Sequence, residues 1–384
     1  MVVTIVVLLI LAGISLNLVL GENGIITKAQ EARDKTEQAR INTEKSMNSL
    51  EQELSDYVNK INSGNGGNSG GSQTTVENVV IPEGYYYVGG TKAKGIVISD
   101  NVADKELDKG KENVRRDLSG NQWVWVPVET PSSLYTTVDA GQALAGSTGV
   151  KTTKYTNSEI ISGQTRGLPG DKSSYREPDI LTGSSDDAAN YAKAGFSSLA
   201  NMAENMKNDY EEMIASLEKY KGFYIGRYEL TANGEKTGTT QTFENGVNWY
   251  TLYKNCTTLA TGTKVKTRMI WGLQWDATCN WLASSGYSIT NSSTWGNHSD
   301  STATGAGSKQ NTGFSESWKA NNIYDFAGNC HEFTQEAYYT NYRAFRGGSY
   351  GYSSSIRPAS NRNSVPPTST GSLNGSRPTL YLIP

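Results

Sequence analysis

The first 20 residues, MVVTIVVLLILAGISLNLVL, are almost entirely apolar: only Thr4, Ser15 and Asn17 are polar, and none is charged. A helix of about 20 apolar residues spans the hydrocarbon core of a bilayer, which is about 30 Å thick. A cleaved signal peptide would carry basic residues ahead of a shorter apolar core, whereas the first basic residue here is Lys28. We therefore predict a transmembrane helix at residues 1–21, inserted through Met1–Leu20. The protein would be a single-pass protein of the cell membrane with its C-terminal domain extracellular.

A polar segment, residues 22–62, follows the apolar run and is rich in Ala, Glu, Gln, Lys and Arg. Apolar side chains recur in it at three- and four-residue steps and make one narrow stripe: Met47, Leu50, Leu54, Val58 and Ile61. This spacing predicts a stalk helix whose stripe packs on a neighbouring copy, as in a coiled coil, or on the next domain. The Gly- and Ser-rich residues 63–75 predict a flexible linker before a domain at residues 76–384.

The composition of the chain excludes several classes of function. Charged residues make up 19% and the net charge is -3, so we expect no nucleic acid as partner. Three Cys and two His show no zinc-binding spacing, and at most one disulfide can form. The 40 Gly, 22 Tyr and 8 Trp are typical of a turn-rich fold of short elements.

The pattern of residues 76–384 predicts both strands and helices. Short half-buried strands are predicted between residues 76 and 128, and another strand in KGFYIGRYEL at 221–230. Residues 186–220 carry one apolar face and predict a helical region lying against the sheet. Residues 269–286 predict a helix with Trp271, Trp275, Cys279 and Leu282 on its buried face. The polar stretch 291–313 predicts a loop that is either mobile or ordered by an ion.

Four motifs occur in the order FYIGRYE, WDATCNWL, NIYDFAGNCHEFT and AFRGGSY. In this order they resemble the formylglycine-generating-enzyme (sulfatase-modifying factor) superfamily, a branch of the C-type lectin fold, over about Ile81 to Leu382. The first 60 or so residues resemble type IV pilin-like surface proteins of Gram-positive bacteria, without the acidic residue usual near the start of the helix. The resemblances imply an α+β fold class: a C-type-lectin-like domain preceded by a long N-terminal transmembrane and stalk α-helix.

In the formylglycine-generating family, the Gly-Asn-x-x-Glu segment helps to hold a structural calcium ion. The resemblance places this site at the backbone oxygens of Gly328 and Cys330 and at the carboxylate of Glu332. The alternative is that Glu332 braces a turn through backbone hydrogen bonds. His331 stands where an aromatic residue is customary, and we expect it to be a packed or exposed replacement for that ring. No other cofactor is expected.

Catalysis in that family depends on paired cysteines just after RGGS, and RGGSYGYSSSIRPASNR contains none. Residues 346–384 also lack His, Asp, Glu and Lys, so the side chains of acid–base, thiol and metal chemistry are missing there. We therefore predict a non-catalytic protein. A formylglycine-generating-type oxidase stays open as an alternative only if Cys279 or Cys330 reaches the site.

The C-terminal tract, about residues 346–384, is rich in Tyr, Ser, Gly, Asn and Arg, as adaptable recognition loops are. Residues 350–384 lack Gln, Lys, Glu, Trp and Met, which no codon ending in a pyrimidine encodes. The tract resembles the variable region of diversity-generating-retroelement target proteins, with NGSRPTLYL in place of their GFRP-like end; chance bias in a short tract is the alternative. The predicted ligand-binding residues are Tyr350, Tyr352, Ser354, Ser355, Ile356, Arg357, Asn363, Ser364, Val365, Ser372 and Leu373. The predicted scaffold residues are Arg346, Gly347, Gly348, Pro358, Ala359, Arg362, Arg377 and Pro378.

These features predict a membrane-anchored receptor or adhesin that displays a diversified recognition face. Its partner would be an unknown protein or glycan ligand at the cell surface, and the stalk would allow pilus-like or coiled-coil self-association. A minor pilin whose head serves filament assembly is the second alternative.

Overall fold

The computed structural model describes residues 74–137, 151–153, 188–231, 246–339 and 342–384. The predicted transmembrane helix at 1–21, the stalk at 22–62 and all but the last two residues of the linker lie outside the described residues. Each helix within the described ranges is too short or too polar to span a bilayer.

The described residues form a mixed α+β domain, as predicted. Its strands are β1 (Thr75–Val76), β2 (Val79–Val80), β3 (Tyr86–Gly89), β4 (Val97–Ser99), β5 (Gln122–Pro127), β6 (Tyr135–Thr137), β7 (Lys151–Thr153), β8 (Gly222–Gly226), β9 (Val265–Met269), β10 (Lys319–Ala320), β11 (Ile323–Tyr324), β12 (His331–Tyr339), β13 (Tyr342–Arg346), β14 (Arg362–Val365), β15 (Asn374–Ser376) and β16 (Pro378–Leu382). Its α-helices are α1 (Ala188–Lys193), α2 (Leu199–Tyr220), α3 (Trp249–Cys256) and α4 (Gly272–Ser284). The short elements agree with the turn-rich composition.

The larger sheet is antiparallel, with strand order β3-β4-β5-β8-β16-β9. The last strand of the chain, β16, therefore lies inside this sheet, between β8 and β9. Strand β5 was predicted to be half-buried, but the side chains from Trp123 to Val126 on both of its faces are buried. The prediction was wrong because helix α4 packs on β5 and the aromatic side chains find partners on their own sheet, such as Tyr224 against Trp125.

Helices α2 and α4 bury the apolar faces predicted for them. Helix α2 begins after Ser198, whose side chain accepts a hydrogen bond from the backbone N–H of Asn201 at 3.1 Å. It buries Met202, Met206, Tyr210, Met213, Ile214 and Leu217. Helix α4 begins three residues later than predicted, because Met269 ends strand β9. Its predicted buried face is confirmed, since Trp271, Trp275, Cys279 and Leu282 are all buried.

A smaller sheet, with strand order β14-β13-β12-β15, carries the C-terminal tract. Strand β13 is antiparallel to both β12 and β14, whereas β15 runs parallel to β12 and pairs Asn374 with His331. Strands β14 and β15, both from the C-terminal tract, thus form the two edges of this sheet, and β12, which begins at His331, lies inside it. This arrangement brings positions 350–357 and 372–373, which are far apart in sequence, to the same end of β12.

Candidate ligand-binding site

The loop from Tyr350 to Arg357 joins β13 to the buried segment that precedes β14. It turns tightly, because the backbone N–H groups of Ile356 and Arg357 both donate to the carbonyl of Ser353, at 3.1 and 2.9 Å. Ile356 is 62% exposed and Tyr352 is 36% exposed. Ser355 is exposed, and Tyr350 and Arg357 are partly buried.

Gly348 fixes the base of this loop. Its φ of +74° lies in the left-handed region, and a Cβ at this position would stand 2.0 Å from the carbonyl oxygen of Arg357. Only glycine lets the two ends of the loop approach so closely. All eight predicted scaffold residues, including Gly348, are buried.

Ser354 was predicted to be exposed, and this prediction was wrong: its exposed fraction is 0%. Its backbone N–H donates to Asp300 Oδ1 at 2.8 Å, and its Oγ lies 2.9 Å from Asp300 Oδ2 and 3.0 Å from Asn291 Oδ1. The partners belong to the polar 291–313 loop, which packs beside residue 354. Ser354 therefore anchors the loop from Tyr350 to Arg357 to the 291–313 loop.

The side-chain amide of Asn297 makes several hydrogen bonds within the 291–313 loop and to Asn329. Asn297 donates through Nδ2 to Asn329 Oδ1 at 3.0 Å and to the Ser308 carbonyl at 2.9 Å, and it accepts from the Gly307 N–H at 3.1 Å. The 291–313 loop also contacts the loop from Tyr350 to Arg357, since the Ser299 N–H donates to the Tyr352 carbonyl at 3.1 Å. These hydrogen bonds join the 291–313 loop to Asn329 and to the loop from Tyr350 to Arg357.

His331 links the two parts of the tract at the start of β12. Its backbone N–H donates to the Leu373 carbonyl at 2.7 Å, while Arg357 Nη1 lies 3.2 Å from its Nε2. Its ring packs on Phe345, with ring centroids 4.4 Å apart, so it is a packed replacement for an aromatic residue. Burial, aided by the nearby Arg357 charge, lowers the pKa of His331 to about 3. The imidazole is therefore neutral at pH 7, and its Nε2 accepts the arginine hydrogen bond.

The remaining predicted binding residues divide into two groups. Ser372 is exposed and Leu373 partly buried in the turn before β15, beside His331. Asn363, Ser364 and Val365 are partly buried on edge strand β14, two strands away from β12. Asn363 pairs with Phe345 and so stays near the His331 end, but Val365 pairs with Arg343 farther along the sheet. Seven of the predicted binding residues lie together near the start of β12, and this predicted site is called the ligand-binding face below: Tyr350, Tyr352, Ser355, Ile356, Arg357, Ser372 and Leu373.

Two scaffold arginines pair with buried carboxylates of β12 and helix α4. Arg362 Nε donates to Glu336 Oε1 at 2.5 Å, and Arg346 Nη2 donates to Asp276 Oδ1 at 2.9 Å and lies 3.5 Å from Glu336 Oε2. Burial raises the pKa of Asp276 to about 6, against the opposing effect of the Arg346 charge. The network ties β12, β13, β14 and helix α4 together.

The predicted calcium ligand Glu332 is engaged by an arginine. Arg377 Nε lies 2.9 Å from Glu332 Oε2, and Arg377 Nη2 lies 2.6 Å from Oε1. The same guanidinium donates to the carbonyls of Gly226 and Tyr324, each at 2.9 Å. A divalent cation on Glu332 would meet this positive charge, so the donor set favours an ion pair over a calcium ligand in this arrangement. Calcium at Gly328, Cys330 and Glu332 stays a prediction that a Ca²⁺ titration tests.

All three cysteines are buried, and each keeps its thiol outside any disulfide. The thiol of Cys330 lies 2.7 Å from Glu229 Oε1, and that of Cys279 lies on the buried face of α4. Burial raises the pKa of both thiols, which keeps them protonated at neutral pH. A protonated, inaccessible thiol is a poor nucleophile and a poor metal ligand.

Sequence reasoning missed the buried acids and amides that support the site, above all Glu229 and Asn329. Asn329 Nδ2 donates to Glu229 Oε2 at 2.6 Å, and Cys330 N–H donates to Glu229 Oε1 at 3.1 Å. These partners lie 100 residues apart in the chain. The available signal was the glutamate of FYIGRYEL, which stands in an apolar strand context and needs a partner when buried.

Comparison with known proteins places the chain among distant structural neighbours. No family model matches the sequence, and no curated protein matches it. Variable protein 1 of Treponema denticola is 16% identical over 43% of this chain and 85% of its own, with a TM-score of 0.32. PvdO from Pseudomonas aeruginosa is 18% identical over 42% and 82%, with a TM-score of 0.32. CarF is 13% identical over 43% and 87%, with a TM-score of 0.28.

Proposed function

We propose that this chain is a non-catalytic receptor or adhesin of the cell surface, whose ligand meets the ligand-binding face. One observation carries the proposal: a single loop exposes Tyr352, Ser355 and Ile356 while the residues on both sides of it are buried. Recognition surfaces combine such side chains with a rigid support, because a fixed backbone loses little conformational entropy on binding.

The types of residue on the face support recognition in preference to chemistry. Tyrosine offers a large amphipathic surface with few rotatable bonds, and serine adapts its hydrogen bonds to a partner. The thiols that an oxidase would need, Cys279 and Cys330, are fully buried. Exposed aromatic and aliphatic side chains supply the apolar contact area that binding requires.

The binding experiment compares one pair of tyrosines, Tyr350 and Tyr352, with a single control tyrosine, Tyr86. The full chain in detergent micelles is screened against a glycan array and a library of displayed extracellular proteins to find a partner. Replacing Tyr350 and Tyr352 by Ala should abolish binding while the melting temperature barely moves. Tyr86→Ala, in edge strand β3 of the other sheet, serves as the control and should bind normally. A large fall in melting temperature for the double variant would mean that the two rings are part of the core.

Diversification of the tract is the second part of the proposal. Its support is that residues 350–384 contain no Gln, Lys, Glu, Trp or Met, the residues that no codon ending in a pyrimidine encodes. Flanking DNA with a template repeat rich in AAY codons, near a reverse transcriptase gene, is the expected finding. An identical tract in many isolates, with no template, would overturn it.

Membrane anchoring rests on the apolar run Met1–Leu20. The protein should remain with membranes after alkaline extraction, and external protease should cleave its C-terminal domain on intact cells. Recovery in sheared filaments would instead favour the minor-pilin alternative.

A further inference from the structure

The C-terminal tract presents one kind of charge to solvent. Residues 346–384 contain four charged side chains, all arginines. Arg346, Arg362 and Arg377 are fully buried and bind carboxylates within the protein. Arg357 is the arginine of the tract that reaches the surface, where it lies on the ligand-binding face.

Two contacts fix the plane of the Arg357 guanidinium. Its carbon lies 3.8 Å from the centroid of the Tyr352 ring, and Nη1 lies 3.2 Å from Nε2 of His331. The aromatic stack sets the tilt, and the hydrogen bond sets the rotation within that plane. A guanidinium held in this way loses less entropy on binding a planar anion than a lysine ammonium would, and its fork matches the two oxygens of a carboxylate.

The surroundings of Arg357 are apolar on one side. Ile356 precedes it and is 62% exposed, and Tyr352 covers one face of the guanidinium. The acidic residue of the neighbouring loop, Asp300, directs both of its oxygens to Ser354. An aliphatic side chain this exposed suits a protein partner better than a glycan, whose hydroxyl groups it cannot bond.

We propose that the partner is a protein whose epitope places a carboxylate next to an apolar side chain. The carboxylate would bond the fork of Arg357, and the apolar group would pack on Ile356 and Tyr352. This inference rests on the proposed function and adds the chemical class of the ligand to it.

The test uses N-acetyl-leucine, which carries a carboxylate beside an isobutyl group, and its neutral match N-acetyl-leucinamide. Each is titrated into the full chain in detergent micelles while the NMR signals of the Ile356 methyl and the Arg357 side chain are followed. We expect the acid to shift both signals and to bind about tenfold more tightly than the amide, as one charge-assisted bond provides. Arg357→Gln should remove this difference, and Arg357→Lys should restore part of it. Arg116→Gln, a surface arginine elsewhere, should keep it.

Three outcomes would overturn the inference. Equal binding of acid and amide would leave an apolar recognition face without an anion contact, and the proposed function would stand. Tighter binding of N-acetylneuraminic acid than of N-acetyl-leucine would assign the carboxylate to a glycan. The absence of any shift at Ile356 and Arg357 would mean that neither the carboxylate nor the apolar group binds there, whereas the tyrosine experiment alone decides whether the face binds a partner.

Discussion

Arg377 and Glu332 form an ion pair in the interior of the domain, with Arg377 Nη2 2.6 Å from Glu332 Oε1 and neither side chain reaching solvent. The pair joins β12, at the centre of the smaller sheet, to the residue that precedes β16 in the larger one. It therefore connects the support of the ligand-binding face to the main core.

Replacing Arg377 by Met should lower the free energy of unfolding by about 3–5 kcal/mol, because it leaves the Glu332 charge buried without a partner. Urea denaturation measures the loss. Glu332→Gln combined with Arg377→Met should recover part of it, since no charge is then stranded. Lys109→Gln, which removes an exposed ion pair with Glu106, is the surface control and should cost less than about 1 kcal/mol. A loss for Arg377→Met as small as that of the control would contradict the buried pair.

Acid should weaken the fold through His331. Its pKa is about 3 in the folded protein and 6.5 normally, so below pH 6.5 the unfolded chain binds a proton that the folded state does not. The unfolding free energy that neutral His331 contributes is present above pH 6.5 and is lost as the pH falls toward 3. Between pH 7.5 and pH 5, the wild-type protein should lose about 1–2 kcal/mol more unfolding free energy than His331→Gln. The two proteins share every other titrating group, including buried Glu229 and Asp325, whose raised pKa values act in the opposite direction. Parallel pH profiles for the two proteins would refute the prediction.

Gly348 and Gly351 offer a matched comparison within one loop. Gly348→Ala should lower the free energy of unfolding by about 2 kcal/mol or more, from left-handed backbone strain and the contact with the Arg357 carbonyl. A Cβ at Gly351 meets no atom within 4 Å, so Gly351→Ala should change stability by less than about 0.5 kcal/mol. Thermal melts of the two variants provide the measurement, and similar losses would argue against the close approach.

Ser354 and Ser355 are neighbours with opposite environments. Ser354→Ala removes the hydroxyl that lies between Asp300 and Asn291, and should lower the free energy of unfolding by about 1 kcal/mol. Ser355→Ala, at an exposed position, should leave stability unchanged and affect only ligand binding. Equal stability of the two variants would place Ser354 at the surface, as its sequence position first suggested.

The cysteines should be unreactive in the folded protein. All three are buried, so a thiol reagent such as Ellman's reagent should label none of them before urea is added and all of them afterwards. Rapid labelling of Cys279 or Cys330 in the native state would revive the oxidase alternative. In that case, the decisive assay would ask whether the protein oxidises a cysteine in a substrate peptide, and whether Cys279→Ser abolishes this oxidation.

Local periodicity located helices α2 and α4 and the strands within residues 76–128 and 221–230, whereas helix α3 and the strands of the smaller sheet were not predicted. The apolar spacing of Met206, Tyr210 and Met213 identified the buried face of α2, and the Trp271–Trp275–Cys279 spacing did the same for α4. These patterns suffice because a helix or strand buries residues at a fixed period that its own sequence records.

The long-range contacts of the site could not be predicted in the same way. Ser354 is buried because Asp300 lies beneath it, 54 residues away in sequence, and Glu229 meets Asn329 across 100 residues. The exposure of a serine or the partner of a buried glutamate depends on which loops the topology brings together. A single sequence contains no periodic pattern from which these contacts between loops could be predicted.

Main-chain atoms, in large part, hold the residues of the binding loop in place. The N–H of Tyr350 donates to the Asn329 carbonyl, the N–H of Tyr352 to the Ser349 carbonyl, and the N–H of Ser299 to the Tyr352 carbonyl, each at 3.1 Å. Every amino acid except proline can make the first two bonds, and any residue at position 352 can accept the third. The shape of the loop is thus largely independent of which side chains stand at positions 350 and 352. Many other side chains could therefore replace these two during evolution, and bind other partners, while the fold of the protein stays the same.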